Sequence, residues 1–307
     1  MMTRATFFKG RARGSSAYLF LLPLFVVLAT FVYLPIIRGV SLSVTDSSLL
    51  RPGTGGFVGT DNFEAALSSS RFWRLLLQTL AWTTVSVTGA VILGVVAALL
   101  VSARRRGAAI AKTLLLVPWI IPPVISAFTW GYLYRNNGPL PAVAHTVFGS
   151  SEHLNMLANT EIEFLGFKLP FWAVTQVGIW SAFPFIFLFT LAALSAIPQE
   201  LYEAGELDGG DGRALFFWIT LPLIAPVLET ATLLLILIRF GGFDLPFLLT
   251  NGGPADASNV LGVYVYSTAF QSFDLGLGAA LAVILFALTL PLSVLYARRA
   301  GRDLREH

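Results

Sequence analysis

Long apolar runs separated by short polar segments dominate the chain. Six of these runs are long enough to cross a bilayer, at 17–37, 73–101, 113–134, 170–197, 222–245 and 277–297. An α-helix of about 20 apolar residues matches the thickness of the hydrocarbon core. The second run exceeds that length, so we expect it to tilt or to extend beyond the lipid. The pattern predicts an all-α integral membrane protein with six transmembrane helices.

The composition supports a membrane protein and excludes several other classes. Apolar residues make up 56% of the chain and charged residues only 12%, about half the charged fraction of a soluble domain. The chain has no cysteine, which rules out a disulfide framework and a thiolate site. The net charge of +3 is small and gives no reason to expect a nucleic-acid partner. The first run is too long for a signal-peptide core and lacks a small-residue cleavage site, which favours a retained helix.

Basic residues indicate which side of the membrane each loop occupies. They form three clusters, at Arg4, Lys9, Arg11 and Arg13, at Arg104, Arg105, Arg106 and Lys112, and at Arg298, Arg299, Arg302 and Arg305. With six spans all three clusters lie on one side, and the positive-inside rule makes that side the cytoplasm. We therefore predict cytoplasmic tails at 1–16 and 298–307, a transmembrane domain at 17–297, and both termini in the cytoplasm.

The segment 198–221 is acidic, rich in glycine, and lies between two apolar runs on the same predicted side. Residues 198–208 are predicted to form a short amphipathic helix, since Pro198 suits a first turn. Gly209-Gly210 would end that helix, and Asp211 could cap the next one. Small residues at this turn would let a partner approach the backbone closely. A solvated loop with glycine turns is the simpler interpretation of such a segment.

The same segment resembles the EAA motif of ABC importer permeases. Eight positions match in one register: Glu203, Ala204, Asp208, Gly209, Phe216, Ile219, Leu221 and Pro222. Glycine replaces the usual alanine at 205 and 210. In that family the segment is a coupling helix seated in a groove of the ATP-hydrolysing subunit. The resemblance thus implies that coupling to the ATPase rests on Glu203, Ala204, Gly205, Asp208, Gly209 and Gly210.

The chain lacks the residues of an ATPase. A Walker A loop needs Gly-Lys followed by Ser or Thr, but the three lysines, Lys9, Lys112 and Lys168, do not follow a glycine. We therefore expect no enzyme activity and no cofactor in this chain, with ATP and magnesium bound by partner subunits. His145 and His153 show no spacing typical of metal ligands, so no metal site is predicted.

A second segment is similar to the carbohydrate branch of this family. It is Phe243-Asp244-Leu245-Pro246 followed by Thr250-Asn251-Gly252-Gly253-Pro254, and the similarity extends over 17–297. It implies the type I ABC importer permease architecture with a cytoplasmic coupling helix, in a bacterial or archaeal cell (inner) membrane. The implied partners are a second permease subunit, two ATP-binding subunits and an extracytoplasmic solute-binding protein. The implied solute is a carbohydrate or a related compound.

Family members that carry maltose contact the sugar from the two spans that flank the coupling segment. Aligning those spans places the substrate path at Gly178, Ser181, Ala182, Phe185, Ile238, Arg239 and Gly242, and Asp244 is a further candidate. The small residues would leave space for a ligand, and Phe185 could stack on a sugar face. The tryptophans at or near span ends, including Trp82 and Trp119, are interpreted as interface anchors.

Arg239 is notable without any resemblance, because it interrupts a long apolar run. A charge facing lipid would cost several kcal/mol, so this side chain should face the helix bundle or a wet cavity. Contact with the substrate and a structural ion pair with Glu229 or Asp244 remain equally open. The alternative function is an ion-coupled secondary transporter of a small polar solute, built on these three residues. An intramembrane hydrolase ranks last, because the spans contain no histidine or cysteine.

Overall fold

The computed structural model describes residues 14–51, 53, 55–102, 107–148 and 155–303. Its helices are α1 (Gly14–Leu28), α2 (Leu34–Ser43), α3 (Asp61–Ser68), α4 (Ser70–Ser102), α5 (Ala108–Ile120), α6 (Pro123–Leu133), α7 (Pro139–Phe148), α8 (Leu169–Ser195), α9 (Gln199–Leu207), α10 (Gly212–Leu215), α11 (Leu221–Phe240), α12 (Asp244–Thr250), α13 (Leu261–Tyr266) and α14 (Leu275–Asp303). Three π-helical segments, Ala29–Tyr33, Phe216–Thr220 and Ser267–Gln271, continue α1, α10 and α13. An antiparallel hairpin joins β1 (Glu163–Phe164) to β2 (Phe167–Lys168).

Within the described residues, five helical stretches are long and apolar enough to cross a membrane. They are Phe20–Ser43, Ser70–Ser102, Leu169–Ser195, Gly212–Phe240 and Leu275–Arg299. The run at 113–134, predicted as one continuous span, is instead the pair α5 and α6, bent by 97°. Pro122 and Pro123 explain the break, because a residue before proline avoids the α conformation and Ile121 is extended. Counting this bent pair as one span gives the six that were predicted.

Close packing of α4 against α8 forms the centre of the bundle. Ala90, Gly94 and Ala98 are buried along α4, as expected for small residues at four-residue spacing. A Cβ at Gly94 would lie 2.7 Å from Ile186 Cβ and 2.8 Å from the Phe187 nitrogen. Glycine at 94 is therefore what allows the two helices to approach this closely.

The fifth span differs most from its predicted bounds of 222–245. It runs as one helical stretch from Gly212 to Phe240, because the capped start of α10 continues through a π segment into α11. It ends at Gly241, so Asp244 begins a separate helix and does not belong to the span that carries Arg239.

Helices extend past both predicted boundaries of the transmembrane domain and into the predicted tails. The first helix already begins at Gly14, and α14 continues to Asp303, beyond the predicted boundary at 298. The basic residues at 4–13 and 104–106, together with Arg305 and His153, lie outside the described residues. His145 falls on α7, and no group of three or more metal-ligating residues occurs in the part of the chain that the structure describes.

Candidate substrate cavity and coupling segment

A cavity of about 280 Å³ lies where α8 and α11 face the break between α5 and α6. Seven of the eight predicted path residues line it: Ser181, Ala182, Phe185, Ile238, Arg239, Gly242 and Asp244. The α8 members share one helix face, because residues three and four apart are neighbours on a helix. The α11 side is formed by the last turn of the helix and by the glycine after it. The structure thus brings together residues up to 63 positions apart, from Ser181 to Asp244.

The eighth predicted residue, Gly178, is behind the cavity wall. It is buried, and a Cβ there would lie 3.5 Å from Trp82 Nε1. That distance is ordinary van der Waals contact, so the position faces α4 and would accept a methyl group. The space for a ligand that had been expected at Gly178 is not there. Its carbonyl oxygen also has a partner, since it accepts a hydrogen bond from Arg239.

Arg239 is anchored to α8 by neutral groups. Its Nη2 donates to the Gly178 carbonyl and to Ser181 Oγ, each at 2.8 Å, and its guanidinium lies 5.7 Å from the centre of the Trp82 ring. Glu229, one expected partner, pairs instead with Arg299 on α14. Among the described residues Arg239 forms no ion pair, so the structure does not show the structural pairing with Glu229 or Asp244 that had been one of the two open alternatives.

Two buried donors beside the cavity have no partner among the described residues. They are Arg239 Nε and Trp82 Nε1. A buried donor without an acceptor costs about 1–3 kcal/mol, and native structures rarely leave one without a reason. A ligand oxygen entering the cavity could supply the missing acceptor.

Aromatic side chains form another wall of the cavity. Trp119 and Phe185 lie with ring centres 6.2 Å apart, and Trp82 is only 2% exposed. The assignment of Trp82 and Trp119 to the membrane interface is therefore corrected, because both line the cavity. The sequence did not identify these two residues as cavity residues, because α4 and α5 contact α8 only in the tertiary structure. No local sequence pattern predicts those contacts.

The coupling segment folds as its capping residues indicate. Helix α9 covers Gln199–Leu207, with Pro198 in an extended conformation just before it. Gly210 N donates to the Gly205 carbonyl at 2.9 Å, and Gly209 adopts a left-handed φ of +84°. Asp211 caps α10 by accepting from Ala214 N at 2.8 Å. The predicted helix, glycine turn and second helix are all present.

The two glycines that replace alanine pack inside this segment. A Cβ at Gly205 would lie 2.6 Å from Leu215 Cδ2 and 2.9 Å from Ile219 Cδ1, and one at Gly210 would lie 2.8 Å from the Gly205 carbonyl. Small residues at these positions had been expected to present the backbone to a partner. Instead, they bring α9 close to the following helix. A hydrogen bond between Tyr202 Oη and Thr220 Oγ1, 3.0 Å long, joins the same two elements.

Other predicted coupling residues face outward. Glu203, Ala204, Asp208 and Gly209 are exposed, and nothing lies within 4 Å of a Cβ built at Gly209. Leu207, the last residue of α9, is also 89% exposed. A single exposed apolar side chain is common on protein surfaces and does not by itself mark a contact.

Residues 90–301 match the family of binding-protein-dependent transport system inner membrane components. The chain belongs to this family. It is 32% identical over 290 residues to the trehalose/maltose transport system permease protein MalF of Thermococcus litoralis, covering 94% of each chain. It is 30% identical over 286 residues to the sulfoquinovosyl glycerol transport system permease protein SmoG of Agrobacterium fabrum, covering 92% of this chain and 89% of that protein.

The fold of this permease is also found in a solved transporter. A chain of the bacterial alginate ABC transporter, in complex with alginate pentasaccharide-bound periplasmic protein, has a TM-score of 0.76 at 22% identity. The match covers 95% of this permease and 96% of that chain. The predicted type I ABC importer permease fold is confirmed, and the permease is a multi-pass inner membrane protein. Membership of this family overturns the alternative of an ion-coupled secondary transporter.

Proposed function

We propose that this permease takes up a carbohydrate or a related polyhydroxyl solute, delivered by an extracytoplasmic binding protein. The observation that carries this proposal is the cavity between α8 and α11. Two relatives are named for the transport of trehalose or maltose and of sulfoquinovosyl glycerol, which agrees with such a solute.

The walls of the cavity suit a sugar. Trp119 and Phe185 offer aromatic faces, and the guanidinium of Arg239, which lines the same cavity, offers hydrogen-bond donors. Asp244, which is exposed and lines the same cavity, offers an acceptor. Hydroxyl groups both donate and accept, so a polyhydroxyl ligand could satisfy both kinds of group. An anionic sugar would gain additional attraction from the guanidinium.

The proposed energy source is ATP bound by other subunits. In this proposal two ATP-binding subunits carry the nucleotide and magnesium, a second permease subunit completes the pathway, and this chain has no enzyme activity. The exposed residues of α9 dock on one ATP-binding subunit, which places both termini of the permease in the cytoplasm. The 29-residue stretch Gly212–Phe240 then links that docking site to the cavity over roughly 43 Å, at 1.5 Å per residue.

Uptake of labelled solutes tests this function. Cells that lack only this chain, and the same cells complemented with it, would be given neutral oligosaccharides, polyols, sugar acids and glycerol phosphates. We expect selective loss of one solute class in the deletion strain and recovery on complementation. Unchanged uptake of every carbohydrate, with the permease shown to be present in the complemented cells, would contradict the carbohydrate assignment.

A further inference from the structure

The β-hairpin that precedes α8 has an apolar tip. Phe164 is 61% exposed and Leu165 is 72% exposed. The two strands pair Glu163 with Lys168 and Phe164 with Phe167, so Leu165-Gly166 forms a two-residue turn. Phe164 and Leu165 are therefore largely exposed, whereas Phe167 stacks on Phe171 of α8.

The turn holds Leu165 in a left-handed backbone conformation that is unfavourable for leucine. Leu165 has a φ of +51° and Gly166 a φ of +80°, as expected for a turn in which both central residues are left-handed. Asn, Asp or Gly are the usual residues there, because a branched side chain in this conformation costs roughly 1–2 kcal/mol. Turn formation does not account for a leucine at this position, which indicates another role.

The hairpin folds back along the start of α8 and does not project beyond it. Leu169 N donates to the Ile162 carbonyl at 2.9 Å, and Trp172 Nε1 donates to the Phe164 carbonyl at 3.2 Å. Trp172 lies one turn inside the membrane-spanning stretch Leu169–Ser195. The rings of Phe164 and Trp172 are 5.4 Å apart. Phe164 is therefore level with the first turn of α8, at the start of the apolar stretch long enough to span a membrane.

From this placement we propose that Phe164 and Leu165 insert into the outer leaflet of the bilayer and anchor the start of α8 there. The partner of this surface is phospholipid. Aromatic and aliphatic side chains at this depth are stabilised in the interfacial region, where tryptophan is also enriched. The hairpin is at the opposite end of α8 from the coupling segment, so it lies on the outer side when α9 is cytoplasmic. Glu161 and Glu163, which are exposed, remain in water beside the headgroups.

The absence of cysteine from the chain allows a single introduced cysteine to report on this tip. Leu165→Cys and, as the water-exposed control, Glu161→Cys would be expressed with the partner subunits in intact cells. Each would be treated with a membrane-impermeant maleimide, and modification would be followed on this chain. We expect Leu165→Cys to react several-fold more slowly than Glu161→Cys, whether or not the binding protein is present. Phe164→Cys provides a second site if the variant at 165 does not assemble.

A lipid-based measurement separates membrane insertion from burial by another protein. The purified complex, labelled at the same cysteine with an environment-sensitive fluorophore, would be placed in vesicles of phosphatidylethanolamine and phosphatidylglycerol. Quenching at 165 by brominated phospholipid, with little quenching at 161, is the expected result. Equal maleimide rates at the two sites would overturn the proposal. So would protection that requires the binding protein, or protection without quenching by the brominated lipid.

Discussion

Arg239 holds α11 to α8 through a carbonyl and a hydroxyl, and its buried Nε remains without a partner. Replacing it by glutamine removes the charge and the guanidinium fork and leaves a neutral amide. A hydrogen bond to a charged group contributes about 1.5–3 kcal/mol, so Arg239→Gln should raise the apparent KM for uptake roughly ten- to hundredfold. Ser181→Ala, which leaves the Gly178 carbonyl in place, serves as the control and should have a smaller effect. Unchanged uptake by Arg239→Gln would exclude ligand contact at this position.

Asp256 fixes the outer loop between α12 and α13 to the start of α4. Arg71 donates to both carboxylate oxygens at 2.8 Å, and Asn259 Nδ2 donates at 2.7 Å. Burial works to raise the pKa of Asp256, but these hydrogen bonds and the charges of Arg71 and Arg74 outweigh it and hold the pKa below its usual range.

A carboxyl with a depressed pKa stabilises the fold above its unfolded pKa and loses that contribution as the pH falls through the folded pKa. The unfolded value for aspartate is about 3.9. We therefore expect Asp256→Asn to lower the melting temperature of the complex in nanodiscs by a constant amount near neutral pH. The difference from wild type should shrink below about pH 4. A difference that stays constant throughout acidification would show that Asp256 acts without its charge.

At the scale of elements, the contact between α9 and α10 depends on the glycine at 205. A methyl group at 205 would lie 2.6 Å from Leu215 Cδ2, the flexible end of a side chain that can shift, so Gly205→Ala should be tolerated. Gly205→Val adds a branched side chain in the same space, and overpacking of this kind costs about 1–3 kcal/mol. We expect reduced uptake per ATP hydrolysed, measured on the reconstituted complex, because α9 no longer seats firmly on the span. Adding Leu215→Ala should restore part of the coupling.

Gly212→Val is the matched control for this change, since a Cβ at Gly212 meets no described atom within 4 Å. It should behave like the wild type. If Gly205→Val also couples normally, the close approach of α9 to α10 is not needed to transmit movement.

Local signals in the sequence predicted the coupling segment better than they predicted the cavity. Pro198, Gly209 and Asp211 each determine a helix end through their own backbone or side chain, and the structure has all three ends. The 97° bend at Pro122-Pro123 exceeds what a proline kink alone indicates. Its angle depends on the helices packed around it, which a single sequence does not reveal.

The cavity is lined by residues of six helices, α4, α5, α6, α8, α11 and α12. Alignment of two spans identified six of its residues and Asp244 was a separate candidate, but Trp82 comes from α4 and Trp119 from α5. Neither tryptophan differs in its local pattern from an interface anchor. The sequence also left the partner of Arg239 open for a similar reason, since Arg299 reaches Glu229 from α14, 70 residues along the chain.

At the scale of the whole molecule, one continuous helical stretch joins the proposed ATPase contact to the proposed solute contact. Gly212 begins that stretch beside α9, and Arg239 lies one residue before its end at Phe240. The only ion pair that the described part of α11 makes, between Glu229 and Arg299, is half exposed at both side chains. Such a pair contributes about 0–1 kcal/mol, so it does not resemble a buried ion-coupling site.

This arrangement predicts transport that depends on ATP and on no ion gradient. In proteoliposomes containing the complete importer and its binding protein, uptake should require internal ATP and should survive a protonophore. Replacing the Walker A lysine of the ATP-binding partner should abolish uptake, because that lysine holds the nucleotide phosphates. Glu229→Gln should reduce uptake severalfold at most, because only a half-exposed ion pair is lost. Uptake by the permease alone, driven by a proton or sodium gradient, would contradict the assignment. If Glu229→Gln then abolished that gradient-driven uptake, Glu229 would be identified as the ion-coupling residue.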